Sequence, residues 1–65
     1  MSIEESITLI LSHPEWTQRR LAYEIGVSQT TISRFHNGER EPRLQQGKQI
    51  EEIAAKVKRQ LSRMS

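Results

Sequence analysis

Residues 18–36, QRRLAYEIGVSQTTISRFH, constrain the fold more than any other part of the chain. Apolar residues recur at helical spacing on both sides of Gly26, which predicts two short helices joined by a tight turn. Glycine enters a positive-φ turn without steric cost, so Gly26 ends the first helix. Ser28 then offers a hydroxyl to cap the second helix, on which Ile32 and Phe35 share one face. Ala22 keeps the first helix narrow where the second must cross it.

Two helices joined in this way form a helix-turn-helix. The stretch resembles the helix-turn-helix of the lambdoid phage repressor and Cro family, over roughly residues 15–55. The segment 37–42, NGEREP, is similar to the loop that follows the motif in that family. The resemblance implies an all-α, lambda-repressor-like domain of four to five helices that binds specific DNA sequences, usually as a dimer that regulates transcription. Six positions carry it: Gln18, Ala22, Gly26, Val27, Ile32 and Phe35.

Composition narrows the remaining possibilities. A chain of 65 residues suffices for one small domain, here residues 1–65. It has no Cys, no Asp and only two His, so we expect no disulfide, no metal site and no cofactor. It has no apolar run long enough to span a bilayer, and Glu4 and Glu5 stand where a signal peptide would be positive. We expect a cytoplasmic protein, at the nucleoid of a bacterial or phage-infected cell, with no membrane or small-molecule partner.

The net charge of +2 hides an asymmetry along the chain. Residues 1–18 contain three glutamates and no lysine or arginine, whereas residues 19–65 contain all ten basic residues and five glutamates. A basic body suits a polyanionic partner that meets one face of the protein. Charge alone fits a solvated surface equally well.

Capping signals place the first two helix starts. Ser2 precedes a helix expected from about Ile3 to Ser12, which Pro14 would stop. Thr17 has the position of an N-cap for the next helix. Trp16 before it is spaced to pack on the first turns of that helix as a hydrophobic staple.

The last segment, residues 44–62, repeats apolar residues at three- and four-residue steps from Leu44 onward and predicts one long helix. Gly47 costs about 1 kcal/mol relative to Ala inside a helix and leaves a division into two helices open. We expect Ile50, Ile53 and Ala54 to close the core of the protomer. The remaining apolar residues would face a second copy of the chain: Val57, Leu61 and Met64.

The second helix of the motif is the candidate recognition helix. Its apolar face packs inward, and its opposite face carries the donors and acceptors that major-groove readout needs. Glutamine bonds an adenine edge with two hydrogen bonds and arginine bonds a guanine edge in the same way. Plain helix surface is the alternative, and for His36 a favourable interaction with the helix dipole is preferred. The candidate base readers are Gln29, Arg34, Thr30 and Ser33.

Phosphate contacts are expected at both ends of the motif. Thr17 and Gln18 begin the first helix, where backbone N–H groups and the helix dipole favour an anion. The Ser28 hydroxyl lies at the start of the second helix of the motif. Arg19 is one residue into the first helix of the motif and can reach a phosphate. For Arg20 a solvent-facing position is as good an expectation as a phosphate contact. The resemblance adds residues after the second helix: Asn37, Arg40 and Arg43.

Three classes of function remain to be compared. A protein-interaction module, such as an antitoxin or anti-repressor subunit, would hold its partner on the apolar stripe of the last helix. An enzyme fits poorly, because the sequence has no nucleophile–base pair, metal cluster or phosphate-binding glycine loop. The polar face of residues 29–34 favours a Cro-like repressor. It would bind a pseudo-palindromic double-stranded operator as a homodimer, with half-sites about one DNA turn apart.

Overall fold

Residues 2–64 of the computed structural model are described, and they form four helices and no strand. These helices are α1 (Ile3–Leu11), α2 (Gln18–Ile25), α3 (Gln29–His36) and α4 (Leu44–Met64). The expected all-α fold with four to five helices is confirmed, with four. The first helix ends at Leu11, one residue before the expected end at Ser12.

Hydroxyl side chains begin the first three helices, as predicted. Ser2, Thr17 and Ser28 each accept the backbone N–H three residues further on, at 3.2, 3.1 and 3.1 Å. Each bond satisfies one of the N–H groups that a helix leaves without a partner at its start. The starts of α1, α2 and α3 are therefore fixed by interactions within four residues of sequence.

The turn between α2 and α3 is the left-handed turn that Gly26 predicts. Gly26 has φ 84°, and its N–H and that of Val27 both donate to the Ala22 carbonyl, at 2.8 and 3.0 Å. Two N–H groups on one carbonyl close the end of α2 in the manner of a Schellman motif. Ala22 is buried where the two helices meet.

The core receives side chains from all four helices. α4 packs along α1 and also contacts α2, and α3 packs on both α1 and α2. Ile32 and Phe35 seat α3 in this core with 0% and 2% of their surface exposed. The buried hydrophobic residues are Ile7, Ile10, Leu21, Ala22, Ile25, Ile32, Phe35, Ile50, Ala54 and Val57.

The assignment of Val57 to a dimer interface is wrong. Val57 is 1% exposed and belongs to the core of the protomer, together with Ile50 and Ala54. Leu61 and Ile53 are half-buried and pack against that core. The interface role of Leu61 stays a prediction, and that of Met64 lies outside the described side chains.

Periodicity also placed Leu44 on the apolar face of α4, yet Leu44 is 79% exposed. Two three-residue steps separate Leu44 from the buried Ile50, and at about 100° per residue they place the two side chains about 120° apart around the helix. The first residue of the buried face to lie against α1 is Gly47, near Ile3. Leu44 therefore lies off the face of α4 that packs on the core.

Gly47 does not divide α4, which continues for 21 residues. A Cβ added at Gly47 would lie 3.7 Å from Ile3 Cδ1 and 3.9 Å from Pro42 Cγ, which are ordinary van der Waals distances. Close packing between helices therefore does not require this glycine.

Replacing Gly47 with Ala should raise the free energy of unfolding by about 1 kcal/mol, because the helix gains propensity without a clash. The matched variant Gly26→Ala should lower it by about 1–2 kcal/mol, because alanine is strained at positive φ. No atom lies within 4 Å of the Cβ at Gly26, so this cost would be conformational. Urea denaturation measures both, and equal effects of the two substitutions would contradict this account.

Candidate nucleic-acid interface

The outer face of α3 brings the four predicted base readers together. Ile32 and Phe35 face the core, so helical geometry turns the residues between and before them outward. Gln29, Thr30 and Arg34 are exposed, and Ser33 is half-buried beside them. A helix that packs on the core with one face and exposes polar side chains on the other has the shape and chemistry to enter a major groove.

The start of α3 is closed by its own hydroxyl groups. Ser28 Oγ accepts the Thr31 N–H and also bonds the Thr31 hydroxyl, at 2.8 Å. These bonds set the direction in which Gln29 and Thr30 leave the turn. The predicted phosphate contact of Ser28 stays a prediction, and its observed role is that of a cap.

The start of α2 has the geometry of an anion site. Thr17 is the N-cap, with its hydroxyl on the Arg20 N–H. The N–H groups of Gln18 and Arg19 lie in the first turn, where an α-helix offers no backbone acceptor and the dipole is positive. Gln18 is half-buried, and the Arg19 side chain is exposed.

Arg20 is held against the protein. Its guanidinium carbon lies 4.1 Å from the centroid of the Trp16 ring, and Nη1 donates to the Glu15 carbonyl at 3.1 Å. This cation–π contact and hydrogen bond favour a structural role for Arg20. Trp16 and Arg20 are four residues apart, and that spacing was a signal that could have revealed the pair.

The loop that follows α3 is anchored at both ends. The Glu39 N–H donates to the Arg34 carbonyl at 2.9 Å and the Gly38 N–H to the Phe35 carbonyl at 3.3 Å, with Gly38 at φ 76°. These two bonds form a Schellman motif. At the far end the Arg43 N–H donates to Gln46 Oε1 at 3.1 Å.

The anchored loop displays three of the predicted phosphate contacts. The side chains of Asn37, Arg40 and Arg43 are exposed on it. Asn37 is the C-cap of α3 and has right-handed backbone angles, so the left-handed position belongs to Gly38. The two arginines therefore lie exposed on the segment between α3 and α4.

His36 links the recognition helix to α1. Its Nε2 lies 2.9 Å from Thr8 Oγ1, and the Thr8 hydroxyl donates to the Glu4 carbonyl at 2.9 Å. The Thr8 hydroxyl therefore bonds both the Glu4 carbonyl and the His36 ring. The partner is 28 residues away in sequence, and no local pattern indicates such a bond. His36 therefore positions α3.

The sequence did not predict a structural role for the second histidine, His13. His13 is 6% exposed in the link between α1 and α2, and its Nδ1 accepts the Glu15 N–H at 3.1 Å. It shapes the approach to the start of α2.

Nowhere in residues 2–64 do three or more His, Cys, Asp or Glu residues come together as a metal site. None of the helices described is long and apolar enough to cross a membrane.

The comparison with protein families supplies the deciding observation. A family model described as "Helix-turn-helix" matches residues 15–45, which contain α2, the Gly26 turn, α3 and the anchored loop. This segment is an XRE-type helix-turn-helix, of the lambda repressor and Cro kind. The four-helix architecture agrees with the lambda-repressor-like fold.

The matched segment indicates the partner. A helix-turn-helix of XRE type is found in DNA-binding transcriptional regulators, and the match over residues 15–45 supports that function for this chain. No curated protein and no solved structure matches the chain significantly. The roles of individual side chains on the interface stay predictions.

The two neighbouring arginines of α2 should behave differently. Arg19→Ala should reduce the slope of log K against log salt by about 0.9, the loss of one phosphate contact. Arg20→Ala should leave that slope unchanged and lower the free energy of unfolding by about 0.5–1 kcal/mol, because it removes the contact with Trp16. Titrations of a random-sequence duplex at several salt concentrations test this, with urea denaturation in parallel. Equal losses of slope would contradict the assignment.

Proposed function

We propose that this protein is a sequence-specific regulator that inserts α3 into the DNA major groove. It binds a pseudo-palindromic operator as a homodimer and acts as a Cro-like repressor in the cytoplasm of a bacterial or phage-infected cell. The observation that carries the proposal is the outer face of α3, where four hydrogen-bonding side chains stand opposite two buried apolar ones.

The chemistry of that face matches base edges. Gln29 reads adenine through a donor and an acceptor, and Arg34 reads guanine through two donors. Thr30 lies between them on the helix surface and offers both a hydroxyl and a methyl group, which suits thymine. Ser33 is half-buried one turn after Gln29 and Thr30 and reaches a base from closer to the helix axis. These four residues give the direct readout.

Affinity comes from phosphates on either side of the readout helix. The start of α2, with Thr17, Gln18 and Arg19, supplies helix N–H groups and a cation. The anchored loop supplies Asn37, Arg40 and Arg43 from the other end of α3. Because the loop backbone is hydrogen-bonded at both ends, less backbone entropy is lost when the loop binds DNA.

We expect a dimer because α3 is too short to recognise a specific operator alone. Its eight residues span about 12 Å, which covers only a few base pairs, whereas two copies on an inverted repeat double the recognised sequence. A short domain that occupies such a site represses by excluding other proteins from it. The alternative, an interaction module held by the apolar stripe of α4, loses support because Val57 of that stripe is buried.

Alanine substitutions on α3 and on the loop should separate base recognition from phosphate binding. Gln29→Ala and Arg34→Ala should each cost about 1–3 kcal/mol on the preferred sequence and relax the preference at one base pair. Arg40→Ala and Arg43→Ala should weaken binding to all sequences alike and flatten the salt dependence.

The measurement is a competition titration against single-base variants of the preferred duplex. Gln60→Ala, at an exposed glutamine on α4, serves as the control and should change neither quantity. Circular dichroism confirms that each variant is folded. A uniform loss across sequences from Gln29→Ala would contradict its assignment as a base reader.

A further inference from the structure

A groove of about 420 Å³ lies between the start of α1, the loop after α3 and the first turns of α4. Its apolar lining consists of Ile3, Pro42, Leu44 and Gly47. Glu4 and Gly38 also line it, and the Glu4 carboxylate lies so near Gly38 that a Cβ there would be 3.2 Å from Oε1. The groove therefore lies where α1 meets the loop.

Leu44 stands at the edge of this groove with 79% of its surface exposed. Within residues 2–63 the other exposed large hydrophobic residue is Tyr23, on α2. Tyr23 carries a hydroxyl that water can hydrogen-bond, whereas Leu44 is wholly aliphatic. An aliphatic projection beside an apolar recess is the local shape of a contact in which two copies each insert one side chain into the other.

The charges around the groove point to the same occupant. A two-fold contact places one surface patch against itself, so the patch must carry both signs of charge to be self-complementary. A patch of one sign would instead select a partner of the opposite sign. The groove is lined by three cations and three anions: Arg40, Arg43, Lys48, Glu4, Glu41 and Glu51.

We propose that this groove is where a second copy of the chain docks, with Leu44 of each protomer entering the groove of the other. This inference rests on the proposed function, because it names the surface through which the operator-bound dimer forms. It replaces the buried Val57 as the centre of the dimer contact. Arg40 and Arg43 line the groove, so the docked copy would lie beside two of the proposed phosphate contacts.

The contact is small and is made chiefly on DNA. One leucine and a shallow recess bury far less than the roughly 1,200–2,000 Å² of a stable protein–protein interface. On an inverted repeat the first protomer places the second at high local concentration, so a weak contact becomes visible as cooperative binding.

The test compares Leu44→Gln with Tyr23→Gln, which removes the other exposed large side chain without a change of charge. Glutamine is a good helix former, so both variants keep their helices. The DNA is the sequence enriched from a random pool, used as one half-site and as the inverted repeat. The wild type and Tyr23→Gln should bind the repeat with at least about fivefold cooperativity. Leu44→Gln should lose that cooperativity and keep the affinity for a single half-site.

A second measurement requires no DNA. Sedimentation equilibrium up to about 1 mM protein should show self-association of the wild type that Leu44→Gln weakens and Tyr23→Gln leaves unchanged. Cooperativity or association that survives Leu44→Gln would overturn the proposal, as would a wild type that shows neither. If no DNA sequence is enriched, the proposed function fails, and sedimentation alone then decides whether the groove joins two copies.

Discussion

The left-handed turn at Gly26 is the constraint on which the rest of the structure depends. Two successive N–H groups, of Gly26 and Val27, meet on one carbonyl, that of Ala22, and the chain can then reverse direction within a few residues. Ser28 caps the next helix immediately after the turn. The direction of α3 relative to α2 is thereby set by bonds within a few residues of the turn. Burial of Ile32 and Phe35 then decides which side of α3 faces outward.

The proposed DNA interface is a consequence of this geometry more than of special chemistry. The proposed base-reading side chains stand on a short helix held by a cap, by two apolar residues and by the hydrogen bond between His36 and Thr8. The proposed phosphate-contacting side chains stand at helix ends and on a loop whose backbone is hydrogen-bonded at both ends. A readout surface must keep its shape while it discriminates between bases, and these fixed supports provide that rigidity.

The sequence predicts those parts of the fold that depend on neighbouring residues. The caps Thr17 and Ser28 and the turn at Gly26 could be read directly, because each is a bond or backbone angle within a few positions. Periodicity alone could not show where the body of the protein stops covering α4. Counting three- and four-residue steps assigns Leu44 and Val57 to one apolar stripe, yet they lie about 140° apart around the helix, and the first is exposed and the second buried.

The contacts that link distant parts of the chain were likewise out of reach. The bond between His36 and Thr8 joins residues 28 positions apart, and the groove beside Leu44 arises only when α1 meets the loop after α3. The outer face of α3 could be predicted as a set of residues, because two buried positions on a short helix define the opposite side. Which base each residue reads depends on how α3 lies in the groove of DNA, and that geometry is a property of the complex.

Selection from a random DNA pool at about physiological salt would show whether the outer face of α3 reads sequence. We expect an enriched inverted repeat with half-sites about ten base pairs apart. We further expect a Gln29→Ala protein to enrich the same repeat with one base position relaxed in each half. A pool that stays unenriched, or the same fully specified repeat from both proteins, would contradict that role of α3.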